Sequence, residues 1–378
     1  LLAQDGCEEK MTTGISAMRL SLAMLAVSMA LLALGVCVGS VGFENLLQQW
    51  LSGSPEERAL AGQLIWEIRL PRTLGAWAAG ALLGLAGAVA QGLFRNPLAD
   101  PYLLGSSAGA ALGVALMLVI LGGAAGMLGG AVEPGSWQAW LQSAGRRGAS
   151  LQSGNAWMRV GLTGAAFIGA AGGVVLTLLL ARGVQHTLRL LLAGVIVGVL
   201  LGAATSLLLL LSPDSLQAMQ AFMLGSTGFV GWSACTIMLA VWLPCAALAW
   251  SLARALDALS LGQATAMSLG LPLRQVRFAL IAVLALATGT AVAQTGLIAF
   301  VGLAAPHMVR AMIRCTHGPL LWCASLMGAV LLCAADLASR WLIAPQELPV
   351  GALTAVLGGL YLLHLMHAKR GGLAATAS

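Results

Sequence analysis

The sequence predicts an all-α polytopic membrane protein of about ten transmembrane helices with weak inverted-repeat character. Of its 378 residues, 59% are apolar and only 8% are charged, and the mean hydropathy is +0.92, whereas a soluble domain carries roughly 25% charged residues. The apolar residues fall in runs close to the length of about 20 that one spanning helix needs. Ten such runs and their connections use up the chain, leaving no room for a large soluble domain.

Taken in order, the runs between charged breaks lie near 20–41, 73–94, 103–128, 160–181, 190–212, 233–253, 278–298, 299–309, 319–343 and 349–366. The eighth is too short to cross alone and reads as a half-helix or a tilted continuation of its neighbour. Residues 1–18 read as an N-terminal tail, of which Leu1–Lys10 is set apart as an added extension or as belonging to an upstream start. Residues 19–370 form the transmembrane domain and 371–378 a C-terminal tail. The segment from Gly130 to Arg159, with Trp137, Trp140 and Trp157 among Gly, Ser and Gln, reads as a surface excursion anchored by aromatics at the lipid boundary. The seven cysteines form no C-x-x-C pair, so neither a metal nor a disulfide is expected.

With a cytoplasmic N-terminus and ten spans, twelve of the nineteen Lys and Arg residues fall inside: Lys10, Arg19, Arg95, Arg182, Arg189, Arg254, Arg274, Arg277, Arg310, Arg314, Lys369 and Arg370. Arg58, Arg69, Arg72, Arg146, Arg147, Arg159 and Arg340 fall outside. This bias places both termini in the cytoplasm.

No G-x-x-x-x-G-K-[ST] loop occurs, so any ATP must be hydrolysed by another chain. No H-E-x-x-H occurs and the histidines are scattered, which argues against an embedded protease. Ionisable groups deep in the spans are almost confined to Asp336 and Arg340, four apart on one helix face. At that spacing they are expected to form a stabilising pair rather than a transport site, and a proton-coupled carrier is disfavoured.

Three breaks in helical periodicity stand out: Arg95 to Pro101, Gly302 to His307, and Glu347 to Gly351. Each is a candidate for the substrate path or a hinge, or equally for an ordinary loop at the membrane edge. Ala88-Val89-Ala90-Gln91 before the first break recurs as Ala291-Val292-Ala293-Gln294 before the second, a faint internal repeat. Between Arg254 and Arg277, apolar residues at helical spacing are interrupted by Gly262 and Gly270-Leu271-Pro272. This predicts two short helices outside the bilayer with an apolar face for a partner protein.

These motifs together resemble the FecCD-type permeases of bacterial type II ABC importers for ferric siderophores, haem and vitamin B12. The resemblance runs from about Arg69 to Arg370. It is carried by Arg69-Leu70-Pro71-Arg72, Asn96-Pro97-Leu98-Ala99-Asp100-Pro101 with Leu104-Gly105, Leu191-Leu192-Ala193-Gly194, the Leu261-Gly262 to Leu269-Gly270 loop, Phe300-Val301-Gly302-Leu303 with Pro306-His307 and Arg310, and Glu347-Leu348-Pro349-Val350-Gly351.

The resemblance implies the type II importer permease fold and a chain that is not itself an enzyme and carries no covalently bound cofactor. Its implied partners are a second copy, two ATP-binding cassette subunits that hydrolyse ATP, a periplasmic binding protein, haem or another iron chelate, and the inner-membrane bilayer, with no nucleic acid. It marks Arg69, Arg72 and Arg340 as binding-protein docking residues, Asn96, Leu98, Thr187 and Leu188 as inner gates of the path, and Leu259, Leu261, Gly262, Ala266, Leu269, Gly270 and Leu271 within 254–277 as the ATPase-coupling contact. Gln263 and Met267 depart from the acidic residue and Arg frequent in the family, while the apolar part of that contact is kept. Haem leads as cargo because the chain offers few polar residues to a hydroxamate or catecholate; ferric siderophore and cobalamin are the alternatives, and a secondary carrier or channel is the rival of another class.

Overall fold

The structure, a computed structural model, describes the backbone of residues 16–39, 42–43, 50–127, 154–181 and 187–375. Side chains at 42–43, 121–127, 154–160, 187, 214 and 364–375 are not described. The Gly130–Arg159 excursion therefore lies outside the described residues apart from a helical backbone at its end, as do both chain termini.

The expected runs are helices within five residues of their predicted limits, except that the fourth starts six residues earlier and the tenth ends nine residues later. They are α1 (Ala17–Cys37), α3 (Leu70–Phe94), α4 (Ser106–Met127), α5 (Gly154–Leu180), α6 (Thr187–Leu211), α8 (Trp232–Ser251), α11 (Leu273–Thr295), α12 (Val301–Met312), α13 (His317–Trp341) and α14 (Val350–Ala375). Seven helices are long and apolar enough to cross a membrane among the described residues, with shorter apolar helices at Ser106–Ile120 and Val350–Leu363. As expected, the eighth run is a half-length helix, α12, of 12 residues.

Helical structure also occurs outside the predicted runs. Helix α2 (Pro55–Gln63) opens on a capping box, Ser54 and Glu57 each bonding the other's backbone amide, with Pro55 at the first helical position. Ser54-x-x-Glu57 is the sequence signature of such a start. A π-helical turn, Leu64–Arg69, carries α2 into α3. Two further elements lie in the connections: α7 (Leu216–Leu224) and a two-residue antiparallel pairing of Val38–Gly39 with Gly42–Phe43.

The chain divides into two units, one made of Leu1–Pro101, Leu224–Ala291 and Thr295–Ser378, the other of Tyr102–Met223 with Val292–Gln294. In the first, α3 is buried along almost its whole length and packs on α13. A Cβ on Gly80 would lie 2.3 Å from the Gly328 carbonyl, and one on Gly84 2.2 Å from that of Ala324. In lipid, where tails are as apolar as leucine, such backbone approach supplies the dispersion contact that holds helices together. Polar bonds add direction: Ser325 donates to the Ala81 carbonyl at 2.9 Å and accepts from Trp242 Nε1 at 2.9 Å. Helix α1 lies against the same layer through Leu20 and Met24, packed with Val309, Leu320 and Leu326.

The second unit repeats the device with other residues. Cβ atoms on Gly109 and Gly113 would meet the carbonyls of Gly169 and Ala165 at 2.1 Å, joining α4 to α5. Thr177 donates to the Leu104 carbonyl at 2.9 Å.

The first predicted break is present. Asn96 precedes Pro97 and is barred from helical backbone, so α3 stops at Phe94. Arg95 takes a left-handed conformation, the Asn96 amide bonds back to the Gln91 carbonyl at 3.1 Å, and the Asn96 side chain accepts from the Leu98 amide at 3.0 Å.

The second break is displaced. Gly302 to His307 is helical within α12, and the interruption is Gly296–Phe300, bounded by left-handed Gly296 and Phe300. Pro306 predicts a break because it lacks an amide. The carbonyl it leaves without an i+4 donor, that of Gly302, instead lies over Gly87, 1.7 Å from where a Cβ would be. The third break is present and meets the displaced second one. The Gly351 amide donates to the Gly225 carbonyl, Ser226 to Thr295, and a Cβ on Gly351 would meet the carbonyls of Leu224 and Leu297 at 2.3 and 2.5 Å.

The repeated quartets share a local setting. Gln91 and Gln294 both stand just before a helix end closed by a left-handed residue, Arg95 and Gly296 respectively.

Candidate functional site

Functional side chains gather at the two ends of α13, which at about 1.5 Å per residue are about 37 Å apart. At its C-terminal end Asp336 and Arg340 form the expected i,i+4 ion pair. The pair is part of a larger knot. Arg72 Nε lies 3.2 Å from Asp336, and the Arg72 fork holds Glu347 by two contacts of 2.9 Å. Thr227 donates to Asp336 as well.

Two guanidiniums, Arg72 and Arg340, meet two carboxylates here, and Arg69 joins Arg340 on a helix terminus. Arg340 donates to the carbonyls of Gly35 and Val38 at 3.1 and 3.3 Å, and Arg69 to those of Val36 and Cys37 at 3.0 and 3.1 Å. These are carbonyls at the C-terminal end of α1, where a helix favours cations.

Arg69, Arg72 and Arg340 are only 8%, 9% and 1% exposed. Each is turned into the chain by an acceptor or carboxylate. Sequence reading finds the Asp336–Arg340 spacing but not the rest of the knot. The available signal is a charge count, since embedded arginines need partners and Asp336 and Glu347 are the acids of that region.

At the N-terminal end of α13 lies the segment predicted to face a partner. It forms two short helices as expected, α9 (Ala253–Ser260) and α10 (Gln263–Ser268), with left-handed Gly262 and Gly270 after them. The residues assigned to the contact divide in two. Leu261 and Leu269 are 70% and 63% exposed, whereas Leu259 and Ala266 are buried. The buried pair anchors the segment. Met267, 59% exposed, joins the outward apolar set instead. Asp257 of α9 accepts from the His317 amide at 2.9 Å and faces His317 Nδ1 at 2.6 Å, so it caps α13 from outside that helix.

Of the gate residues, Asn96 and Leu98 share the exposed turn after α3. Leu188, exposed, belongs to the other unit in the first turn of α6, and the Thr187 side chain lies outside the described residues. Gln91 is buried beside the first turn, donating to the Leu303 carbonyl at 3.1 Å and accepting from Arg310. Among the described residues no group of His, Cys, Asp and Glu could hold a metal ion.

The sequence profile of the FecCD transport family matches residues 24–368. The chain belongs to the FecCD transport family. The match begins well before Arg69 and brings in α1, whose C-terminus the arginines hold. The Hemin transport system permease protein HmuU of Yersinia pestis is 38% identical over 355 residues, 93% of this chain and 96% of that protein. The Vitamin B12 import system permease protein BtuC of Salmonella schwarzengrund is 34% identical over 356 residues, 92% of this chain and 94% of that protein. A solved inward-facing conformation of a metal-chelate type ABC transporter superposes with a TM-score of 0.74 at 26% identity, over 93% of this chain and 99% of that one. The family is one of membrane transport, and this FecCD chain has its helical permease fold.

Proposed function

We propose that the chain is the membrane-spanning permease subunit of an ATP-driven importer carrying haem or a related iron chelate across a bacterial inner membrane. The observation that carries the reading is the 38% identity with the hemin permease along 93% of the chain. Two copies would flank the path, two ATP-binding cassette subunits would sit on the cytoplasmic side with both chain termini, and a periplasmic binding protein would deliver the cargo. Cobalamin is the second reading, supported by the 34% identical vitamin B12 permease, and a ferric siderophore the third.

Asp336 is 0% exposed and closed by two guanidiniums and a hydroxyl, which supports its reading as a stabilising ion pair rather than a transport site. Asn96, Leu98, Thr187 and Leu188 are proposed as inner gates. The docking face is proposed as a surface braced by Arg69, Arg72 and Arg340, with half-exposed Glu347 at its rim.

Coupling is proposed to run through Leu261, Met267 and Leu269, seated on Leu259 and Ala266 around Gly262, Gly270 and Leu271. An apolar knob of this kind fits a groove on a partner, and alternating access then follows if ATP-dependent closure favours one permease state over the other. Replacing Leu269 by Asp is expected to lower ATP-driven uptake by about tenfold or more, the cost of truncating a contact residue and burying an unpaired charge. Uptake by vesicles at matched protein content checks this, and an unchanged rate would reject the assignment. For the cargo, cells lacking this chain should lose haem uptake and keep cobalamin and ferric siderophore uptake. Loss of cobalamin uptake alone would transfer the assignment to the second reading.

A further inference from the structure

The Asp257–His317 contact has no part in docking, gating or the outward knob, yet it joins the knob to the packed pair α3 and α13. Asp257 lies on α9, whose Ala255, Leu256, Ala258 and Leu259 are buried against the body of the unit. Its Oδ1 accepts from the first amide of α13 at 2.9 Å and meets the imidazole Nδ1 of the same residue at 2.6 Å. Thr316, at the N-cap position, makes no side-chain cap bond, so the start of α13 depends on a carboxylate supplied by the coupling segment. A helix N-terminus favours such an anion.

The far ring nitrogen of His317 and the Leu256 side chain both lie 3.1 Å from where a Cβ on Gly92 would stand, at the end of α3. Thus α9 touches the ends of α3 and α13 at one point. From there the two helices run together through Gly84 and Gly80 to the arginine knot, where Arg72 of α3 and Arg340 of α13 share Asp336.

We infer that Asp257 and His317 are positioning residues for transport: their bond fixes the coupling segment to the α3–α13 pair, so that displacement of the segment moves the pair instead of bending the loop. This rests on the coupling proposed above. A joint of this kind acts on the ratio between cargo moved and ATP hydrolysed, because the hydrolytic site lies in another chain.

The test uses the complete transporter in proteoliposomes, with its ATPase and loaded binding protein. Cargo delivered per ATP hydrolysed is measured for the unsubstituted chain, Asp257→Ala and Asp257→Asn. Asp257→Ala, which loses both bonds, is expected to assemble and to lower the ratio about tenfold, within the usual range of coupling between sites. Asp257→Asn keeps an acceptor for the amide and is expected to recover most of it. A wild-type ratio in Asp257→Ala, or an Asp257→Asn as impaired as Asp257→Ala, overturns the inference.

If Asp257→Ala does not assemble, His317→Ala keeps the capped amide and removes only the imidazole. A lowered ratio there supports the joint and an unchanged one overturns it. Absence of ATP-driven uptake by the unsubstituted assembly overturns the proposed function, and this inference with it; a working assembly whose variants are unaffected overturns the inference alone.

Discussion

Replacing Asp336 by Ala is expected to destabilise the folded chain by about 3–5 kcal/mol, the range for removing one partner of a buried ion pair. Asp336 is the common acceptor for Arg72, Arg340 and Thr227 and is 0% exposed. Without it Arg340, 1% exposed, keeps only neutral acceptors, the carbonyls of Gly35 and Val38 and the Thr73 hydroxyl. Arg72 keeps Glu347, so the loss falls mainly on the junction of α13 with α1 and α3. Thermal unfolding in detergent, together with the amount of chain recovered from membranes, checks this. Glu347→Gln should cost much less, since that side chain is 31% exposed and solvent weakens its pairing. Equal stability of Asp336→Ala and the unsubstituted chain would mean that the knot does not hold these helices.

Gly87→Leu is expected to abolish accumulation of folded chain. A Cβ at that position would lie 1.7 Å from the Gly302 carbonyl, 2.5 Å from its carbon and 3.0 Å from its Cα. The obstacle is backbone on both sides, so no rotamer change relieves it, and α12 would have to leave α3. Overpacking of an ordinary core costs about 1–3 kcal/mol, and a backbone clash exceeds that because rigid helices must separate. Gly172→Leu serves as the matched control: it also lies within a helix, but a Cβ there meets nothing within 4 Å. Similar recovery of both variants from membranes would contradict the close α3–α12 contact.

Much of this architecture is legible in the sequence because lipid imposes a coarse rule, an apolar run of sufficient length for each crossing. The run at 299–309 is too short by that rule, and α12 is a half-length helix. The turn after α3 is legible because Pro97 forbids helix at Asn96. Harder to read is the Gly296–Phe300 interruption. Phe300 adopts a left-handed backbone that bulky residues seldom take, and nothing in its local sequence announces it; the tertiary neighbour Gly358, whose Cβ would lie 2.3 Å from that of Phe300, makes the room.

Site residues are legible as a set more than in their roles. Arg69, Arg72 and Arg340 do converge, on Asp336, Glu347 and the end of α1. Their partners lie as far as 305 positions away along the chain, beyond the reach of any local pattern. The coupling segment shows the opposite case: periodicity locates its two helices, yet only the fold separates anchoring Leu259 and Ala266 from outward Leu261, Met267 and Leu269.

The most direct measurement is uptake of haem by proteoliposomes containing this chain alone, with the ATPase subunit, and with both ATPase and haem-loaded binding protein, each with and without ATP. ATP-coupled import predicts accumulation only in the complete set supplied with ATP. Equal uptake by the chain alone, insensitive to ATP, would contradict it and leave a channel or secondary carrier in its place.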